Sequence, residues 1–312
     1  MKITRFCPAK INLFLEVTGK LPNGYHELAT LFAKINLGDT LCVEAQPATD
    51  TCISLDITGP VGKFLRADPS NLVWRAAQAF LDYFRLQAHI KLHLEKHTPT
   101  GAGLGGGSSD AAGVLLALCE IFHNDKNELL ATAAKLGADV PLFMYEDTFL
   151  KGEGIGEILT PVSYCGELPY IVLVYPHLPV PTKGVFARLK LPSREEVLTH
   201  CAQLHKIIEN LERGVAIPEY KGLLFNRLQE CVVPFEYAVR EILTDLAKTG
   251  TELYLMSGSG STLFALVKSN SQAQALARVL QRPDRSVYVT TFQETKHANN
   301  GNKNTLNERG SS

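Results

Sequence analysis

The sequence predicts an α+β protein in two halves. Strand-like alternation recurs along the chain, as where Ile90, Leu92 and Leu94 are set against Lys91, His93 and Glu95, the two-residue period of a half-buried strand. Helical spacing follows it, in Ala111, Ala112, Leu115, Leu118, Ile121 and Phe122. The next segment, Asn127 to Ala138, is a second helix and not the strand that a doubly wound dinucleotide-binding chain would place there. With 312 residues, the chain has material for two cores.

Taken in order, residues 8–17 alternate as a strand, with Ile11, Leu13 and Leu15 on one face and Lys10, Asn12 and Phe14 on the other. On its own Lys10 reads as a solvated edge charge sooner than as a functional one. Leu21-Pro-Asn-Gly-Tyr-His-Glu-Leu28 is a turn leading into a helix or strand. Its Tyr25 and His26 put a flat π face and a hydrogen-bonding ring on one short loop, and unaided they read as a packed turn aromatic and a solvated imidazole. Phe32 suits a pocket wall or the core equally. Residues 40–58 read as a hairpin of Thr40–Ala45 and Cys52–Ile57. Asp68-Pro-Ser-Asn-Leu72 caps a helix running to about Leu86, with Leu72, Ala76, Ala79, Phe80 and Tyr83 on its apolar side.

The stretch Pro99-Thr-Gly-Ala-Gly-Leu-Gly-Gly-Gly-Ser-Ser-Asp-Ala-Ala112 then joins the strand at residues 90–94 to a helix. Five glycines stand there, Gly101, Gly103, Gly105, Gly106 and Gly107, with Ser108, Ser109 and Asp110 where N-caps belong. Glycines let backbone amides approach a ligand closely, and a helix start adds unpaired donors and a positive partial charge. The stretch is a phosphate cradle. A Walker loop needs a lysine where Gly107 stands, and a protein-kinase loop needs His-Arg-Asp and Asp-Phe-Gly motifs that do not follow. A merely tight turn has no use for five glycines.

Asp139 follows the Asn127–Ala138 helix, where its charge opposes the dipole; it is a turn aspartate before Pro141 or a functional acid. Residues 149–160 form a glycine-spaced strand pair, and Pro161 to Pro169 a seam. Tyr170–Tyr175 is a buried central strand of the second half. Helices are expected over Ser193–Leu211, from Leu223 through Leu228, over Pro234–Thr249 and over Ser271–Leu280. Two strands, 252–256 and 262–267, flank the turn Ser257-Gly-Ser-Gly-Ser261, and Val287–Thr291 is the last strand. The polar tail, from residue 293 to 312, is expected to be disordered.

The totals are those of an ordinary globular protein: 45% apolar and 20% charged residues, with 31 basic against 32 acidic side chains for a net charge of −1. No global field favours nucleic acid or an anionic membrane. The seven cysteines are scattered, without a C-x-x-C pair, which points to reduced thiols in the cytoplasm and away from structural zinc. The N-terminal apolar run is broken by Lys10, Asn12 and Glu16, unlike a signal peptide, and no apolar run approaches the roughly 18 residues of a membrane span.

The cradle resembles the central motif of the galactokinase, homoserine kinase, mevalonate kinase and phosphomevalonate kinase (GHMP) superfamily. Pro8-Ala-Lys-Ile-Asn-Leu13 resembles its first motif, Leu136-Gly-Ala-Asp-Val-Pro141 its catalytic-aspartate segment, and the turn at 257–261 its third motif. The likeness spans residues 3–292. It implies a ribosomal-S5-like N-terminal half over residues 1–160 and a ferredoxin-like C-terminal half over 161–292. ATP would lie over Pro99, Thr100, Gly101, Ala102, Gly103, Leu104, Gly105, Gly106, Gly107, Ser108 and Ser109, with Asn71 near the adenine. Lys10 and Asp139 would be catalytic, and Asn12 would orient the acceptor hydroxyl or Lys10. Mg2+ would accompany ATP, with Ser108 or Ser109 a candidate ligand.

Within the superfamily the resemblance is greatest to the branch whose acceptor is the 2-hydroxyl of a diphosphocytidyl methylerythritol, an isoprenoid precursor. There Tyr25 and Phe186 would sandwich the cytosine and His26 would read its edge. Sister kinases would share the cradle but have no use for those three rings. A non-catalytic binder of RNA or a dinucleotide sits poorly with near-neutral charge and with the Lys10–Asp139 pair. The expected partner is thus a small molecule, not nucleic acid or membrane.

Overall fold

The structure, a computed structural model, describes residues 1–215 and 217–294; most of the predicted disordered tail lies outside them. The chain opens with two unusually long strands, β1 (Lys2–Lys20) and β2 (His26–Pro47), paired antiparallel across the turn that carries Tyr25. Three register shifts bend the pair, one of them between Asn12 and Phe14. A bulge inserts an unpaired residue and resets the side-chain phase. That corrects one expectation: Phe14 leaves the face of Lys10 and Asn12 and packs with Ile11 and Leu13.

Next come β3 (Cys52–Thr58), α1 (Leu72–Phe84), β4 (Ala88–Glu95) and α2 (Gly106–Phe122). The predicted hairpin of residues 40–58 does not form. β4 lies between β2 and β3, antiparallel to the first and parallel to the second. The reason is connectivity: α1 is a crossover from β3 to β4, and a helical crossover makes its two strands parallel neighbours. α1 is capped by Asn71, whose Oδ1 accepts from the Val73 amide at 3.0 Å. Its buried stripe is Val73, Ala76, Ala77, Phe80 and Leu81, rotated from the one predicted, so Tyr83 is exposed. α2 also starts earlier than its sequence suggests, with Gly105 as N-cap, so Ser108, Ser109 and Asp110 occupy its first turns rather than its cap.

A 3-10 turn over Lys126–Leu129 and α3 (Leu130–Leu136) replace the single helix predicted for 127–138, and a second 3-10 turn, Pro141–Met144, follows. The strand pair β5 (Phe149–Glu153) and β6 (Ile158–Val162) then joins the free side of β2. A first core forms where α1 and α2 cover the sheet, built on Leu41, Val43, Leu92, Leu94, Phe80, Leu115 and Leu118.

The second half runs β7 (Tyr170–Tyr175), α4 (Thr182–Ala187), α5 (Arg194–Glu212), β8 (Phe225–Asn226), α6 (Arg227–Val232), α7 (Tyr237–Lys248), β9 (Tyr254–Met256), β10 (Leu263–Val267), α8 (Asn270–Leu280) and β11 (Ser286–Thr291). Its sheet, in the order β11-β7-β10-β9, is antiparallel, as the ferredoxin-like expectation requires. Period two is clean: Ile171, Leu173, Phe264 and Leu266 face the core shared with α5, while Val172, Val174, Leu263 and Ala265 face α7 and α8. The expected helix start at Leu223 is not seen; Phe225 and Asn226 instead pair with β1 in parallel, and Asn226 caps α6.

Beside that pairing, Glu16 of β1 is fully buried. Arg227 grips it with Nε and Nη2, each at 2.9 Å, and His200 of α5 bonds its other side. Removing one partner of a buried pair strands the other charge, which costs about 3–5 kcal/mol. Arg227→Met is expected to lower the unfolding free energy in urea by about that amount, and Glu16→Gln in the same chain to restore part of it. Equal midpoints for wild type and Arg227→Met would show that the pair does not join the halves.

Candidate active site

The face of β1 that carries Lys10 and Asn12 points into the seam between the two sheets. Lys10 is 4% exposed, so it is no solvated edge charge. Its Nζ donates to Asn12 Oδ1 at 2.8 Å and lies 3.5 Å from Asp139 Oδ2. Asn12 Nδ2 donates in turn to Thr30 Oγ1 at 2.9 Å, and Thr30 donates to the Phe14 carbonyl at 2.6 Å. Asn12 thus has a fixed amide orientation that turns its oxygen toward the ammonium. Phe32 is in the core, with the Lys10 ammonium 5.5 Å from its ring centre. Asp139 stands in the turn between α3 and the buried Pro141–Met144 segment, with its side chain 33% exposed: anchored, yet open to the cleft.

The glycine stretch wraps over Lys10. Its carbonyls are bound by protein: Lys10 N–H donates to Leu104 at 2.9 Å, Thr262 N–H to Ala102 at 3.3 Å, Ser257 Oγ to Gly103 at 3.0 Å and Val180 N–H to Gly101 at 3.2 Å. The first-turn amides of α2, at Gly106, Gly107 and Ser108, have no acceptor within the helix. Gly103 has a φ of +77°, and a Cβ there would stand 2.2 Å from the Ser257 carbonyl. Gly105, at φ +68°, would press a Cβ to 3.1 Å from Lys10 and Phe143. Two of the glycines are thus required by the strap holding the loop down, while Gly107, with nothing within 4 Å of its Cβ position, faces open space. Pro99, Ala102 and Leu104 are buried, and Thr100 and Gly101 are exposed.

The third-motif turn closes the other side. Asn226 Nδ2 holds the carbonyls of Met256 and Gly258 at 2.7 and 2.8 Å. A Cβ at Gly258 would meet Gly103 O, Lys10 Nζ and Asn12 Oδ1 at 3.2–3.4 Å. The three motifs therefore converge on one point.

A cavity of about 370 Å³ opens beside the start of α2, lined by Leu65, Arg66, Asn71, Leu72, Thr100 and Gly107 among others. Asn71 is on its wall, but both ends of its amide are used, in capping α1 and in donating from Nδ2 to the Arg66 carbonyl at 2.8 Å.

At the far end of β1, His26 stacks on Phe186 with ring centres 5.0 Å apart and planes at 21°. Burial, with help from Lys20, holds His26 below the ordinary imidazole range. Tyr25 stands apart, 60% exposed. The rings predicted to be neighbours are thus two of three in contact, and the pair that meets is His26 with Phe186.

Sequence reasoning missed the charges beneath the loop. Lys96, 1% exposed, bridges Asp39 and Asp110, the latter at 2.7 Å. Asp39 also accepts from the amides of His97 and Thr98 at 2.6 and 2.7 Å. The signal was present. Lys96 continues the inward row Ile90, Leu92, Leu94; Asp39 continues Leu41 and Val43; and Asp110 lies one turn before Val114 on the buried face of α2. Burial, eased by Lys96 and reinforced by Asp39, pushes the Asp110 carboxyl up to about 8. Lys96, despite its burial, is held above its usual value by Asp110 and Asp39.

The folded chain therefore keeps a proton on Asp110 that the unfolded chain releases near pH 3.8. Between those values the native state binds more protons at this site, so the Asp110 contribution to stability falls as pH rises from about 4 to about 8. Asp110→Asn is expected to flatten that decline, measured by urea unfolding at pH 5, 6, 7 and 8 (test conditions of roughly unit spacing). An unchanged slope would show that Asp110 titrates as an ordinary carboxylate.

Comparison with known proteins gives consistent results. Family descriptions of the GHMP kinase N-terminal domain and the GHMP kinase C-terminal region match residues 71–147 and 205–285. A 4-diphosphocytidyl-2-C-methyl-D-erythritol kinase from Lachnoclostridium phytofermentans is 34% identical over 293 residues, spanning 93% of this chain and 97% of its own. One of the same name from Deinococcus radiodurans is 38% identical over 291 residues, spanning 92% of each. Among solved structures, a 4-(cytidine 5'-diphospho)-2C-methyl-D-erythritol kinase is 33% identical with a TM-score of 0.73, covering 94% of this chain and 100% of its own. A homoserine kinase from Cytophaga hutchinsonii, 17% identical with a TM-score of 0.68 over 94% of this chain and 96% of its own, shares the fold. No helix among the described residues is long and apolar enough to cross a membrane.

Proposed function

The chain belongs to the GHMP kinase family, and we propose that it phosphorylates the 2-hydroxyl of 4-diphosphocytidyl-2-C-methyl-D-erythritol with ATP. The acceptor is supported by 34–38% identity, over nearly the whole of both chains, to proteins of that name. The observation that carries the chemistry is the meeting of Lys10, Asn12 and Asp139 at the mouth of the glycine loop.

Phosphoryl transfer to an alcohol needs alignment, neutralised charge and a place for the hydroxyl proton. The amides at the start of α2 hold the phosphates, with the base of the nucleotide in the cavity beside Asn71. Asp139 takes the proton from the 2-hydroxyl as the oxygen attacks the γ-phosphorus. Lys10 faces both Asp139 and the loop, so its charge offsets the charge on the group in transit. Asn12 fixes the direction of the ammonium.

Mg2+ brought with the nucleotide would supply positive charge to the phosphates. Ser108, half-buried at the helix start, and Ser109, whose buried Oγ has no hydrogen-bond partner among the described residues, are the hydroxyls that fit it.

Phe186 and Tyr25 form the cytosine clamp. A neutral His26 can both donate to and accept from a base edge. With His26 against Phe186 and Tyr25 turned outward, closing the clamp requires the His26 ring to yield its place to the base.

ADP release in the presence of the diphosphocytidyl alcohol, and not with homoserine, mevalonate or galactose, tests the acceptor. Asp139→Asn is expected to abolish turnover with ATP affinity within a few-fold; normal turnover removes Asp139 as base. Phe186→Ala and Tyr25→Ala should each raise KM for the cytidyl substrate roughly tenfold, given about 1–3 kcal/mol per stacked base. Unchanged KM in both would move the cytosine elsewhere.

A further inference from the structure

Lys34 is a buried lysine that the reaction as described does not use. It lies on β2 directly across from Lys10 of β1, on the same face as Phe32. Its side chain is 2% exposed. Its Nζ donates to the carbonyl of Tyr145 in a short contact, while its own amide donates to Thr148 O and its carbonyl accepts from Gln293 N–H, both at 2.9 Å. Tyr145 is the first residue after the 3-10 turn Pro141–Met144, and Asp139 stands two residues before that turn. Every residue from Val140 through Met144 is buried, so the segment is packed along its whole length. Its leading end carries the carboxylate that faces Lys10, and its trailing end is tied to Lys34. The two lysines, neighbours across one strand pair, hold opposite ends of the same segment.

We propose that Lys34 is a positioning residue for phosphoryl transfer: by fixing the Tyr145 carbonyl it sets where the Pro141–Met144 turn sits, and so where Asp139 meets the acceptor hydroxyl. The inference rests on Asp139 being the base. An ammonium fully inside a core is costly to keep, and a neutral residue would fill the space more cheaply. What the charge supplies here is a strong, directional bond to a carbonyl at a point where the chain leaves a turn. The groups around it are Lys10 on β1, Lys126 on the 3-10 turn at 126–129, and Glu146 and Asp147 just past Tyr145. Burial outweighs the two acids and pushes the Lys34 amine down to about 8. The bond is therefore strongest below that pH and weakens above it.

The test uses the full chain. A displaced catalytic group typically loses on the order of tenfold to a hundredfold in rate, so Lys34→Met is expected to lower kcat at least roughly tenfold while leaving KM for ATP and for the cytidyl alcohol within about twofold. Lys34→Arg, which keeps a charged donor, should recover most of the loss, and amide exchange over residues 140–145 should quicken in the Met variant alone. In wild type the protection of those amides, corrected for intrinsic exchange, should drop as pH rises through about 8, a readout that needs no variant to fold. Wild-type kcat in Lys34→Met, a rise in KM with kcat unchanged, or pH-independent protection overturns the proposal. Asp139→Asn separates the two readings: normal turnover of that variant refutes the base itself, whereas abolished turnover there together with wild-type kcat in Lys34→Met refutes the positioning role and leaves Asp139 as base.

Discussion

Everything in the cleft is built over a lysine held between two aspartates. Lys96 comes from just past the end of β4, Asp39 from the middle of β2 and Asp110 from the second turn of α2. They fasten the two strands to the helix immediately below the loop whose amides face the phosphates. The site needs those amides in one place before the nucleotide arrives, because stabilisation by donors that must first reorganise is largely lost. Apolar packing alone is indifferent to a small slide of α2 along the sheet; a two-sided ionic hydrogen bond is not.

The same economy of anchoring recurs around the catalytic pair. Lys10 is held by Asn12, Asn12 by Thr30, and Thr30 by the carbonyl of Phe14, a relay across the bulge in β1. The bulge pushes Phe14 into the apolar layer and leaves its carbonyl where Thr30 can reach it. The turn at 257–261 is fixed from the opposite side by Asn226, which sits next to the Arg227 that grips Glu16. One short segment, 225–227, thus pairs with the first sheet, orients the third motif and neutralises a buried carboxylate.

Local signals in the sequence carried the site far better than they carried the sheet. Glycines and caps are written in neighbouring residues, and the motifs that resemble the family's carry Lys10, Asn12 and Asp139, which the fold brings beside the loop from Pro99 to Ser109. Pairing is written elsewhere. Residues 40–45 and 52–57 look like a hairpin because they are adjacent and alternate, and only the crossover through α1 reveals that β4 separates them. The single bulge at Leu13 inverts the facing of Phe14 without any proline or glycine to announce it. The buried charges were overlooked because Lys96, Asp39 and Asp110 stand at the ends of apolar rows, where polarity is the normal sign that an element has left the core. Lys34 is harder still: a lone lysine among apolar neighbours on a strand, whose partner is a backbone carbonyl 111 positions away.

The pairing of Phe225 and Asn226 with Phe14 and Leu15 also bears on the order in which the molecule can be completed. The ribosome delivers the strand that finishes the first sheet more than two hundred residues after the strand it finishes. Through that interval the nascent chain has an unpaired edge at Phe14 and Leu15, and bare edges are templates for pairing with other chains. The buried Glu16 beside it lacks its bidentate Arg227 partner until that residue emerges. An early folded state of the first half is therefore unsatisfied in both backbone and charge, which ties its stable formation to synthesis of the second and disfavours the halves as separable pieces.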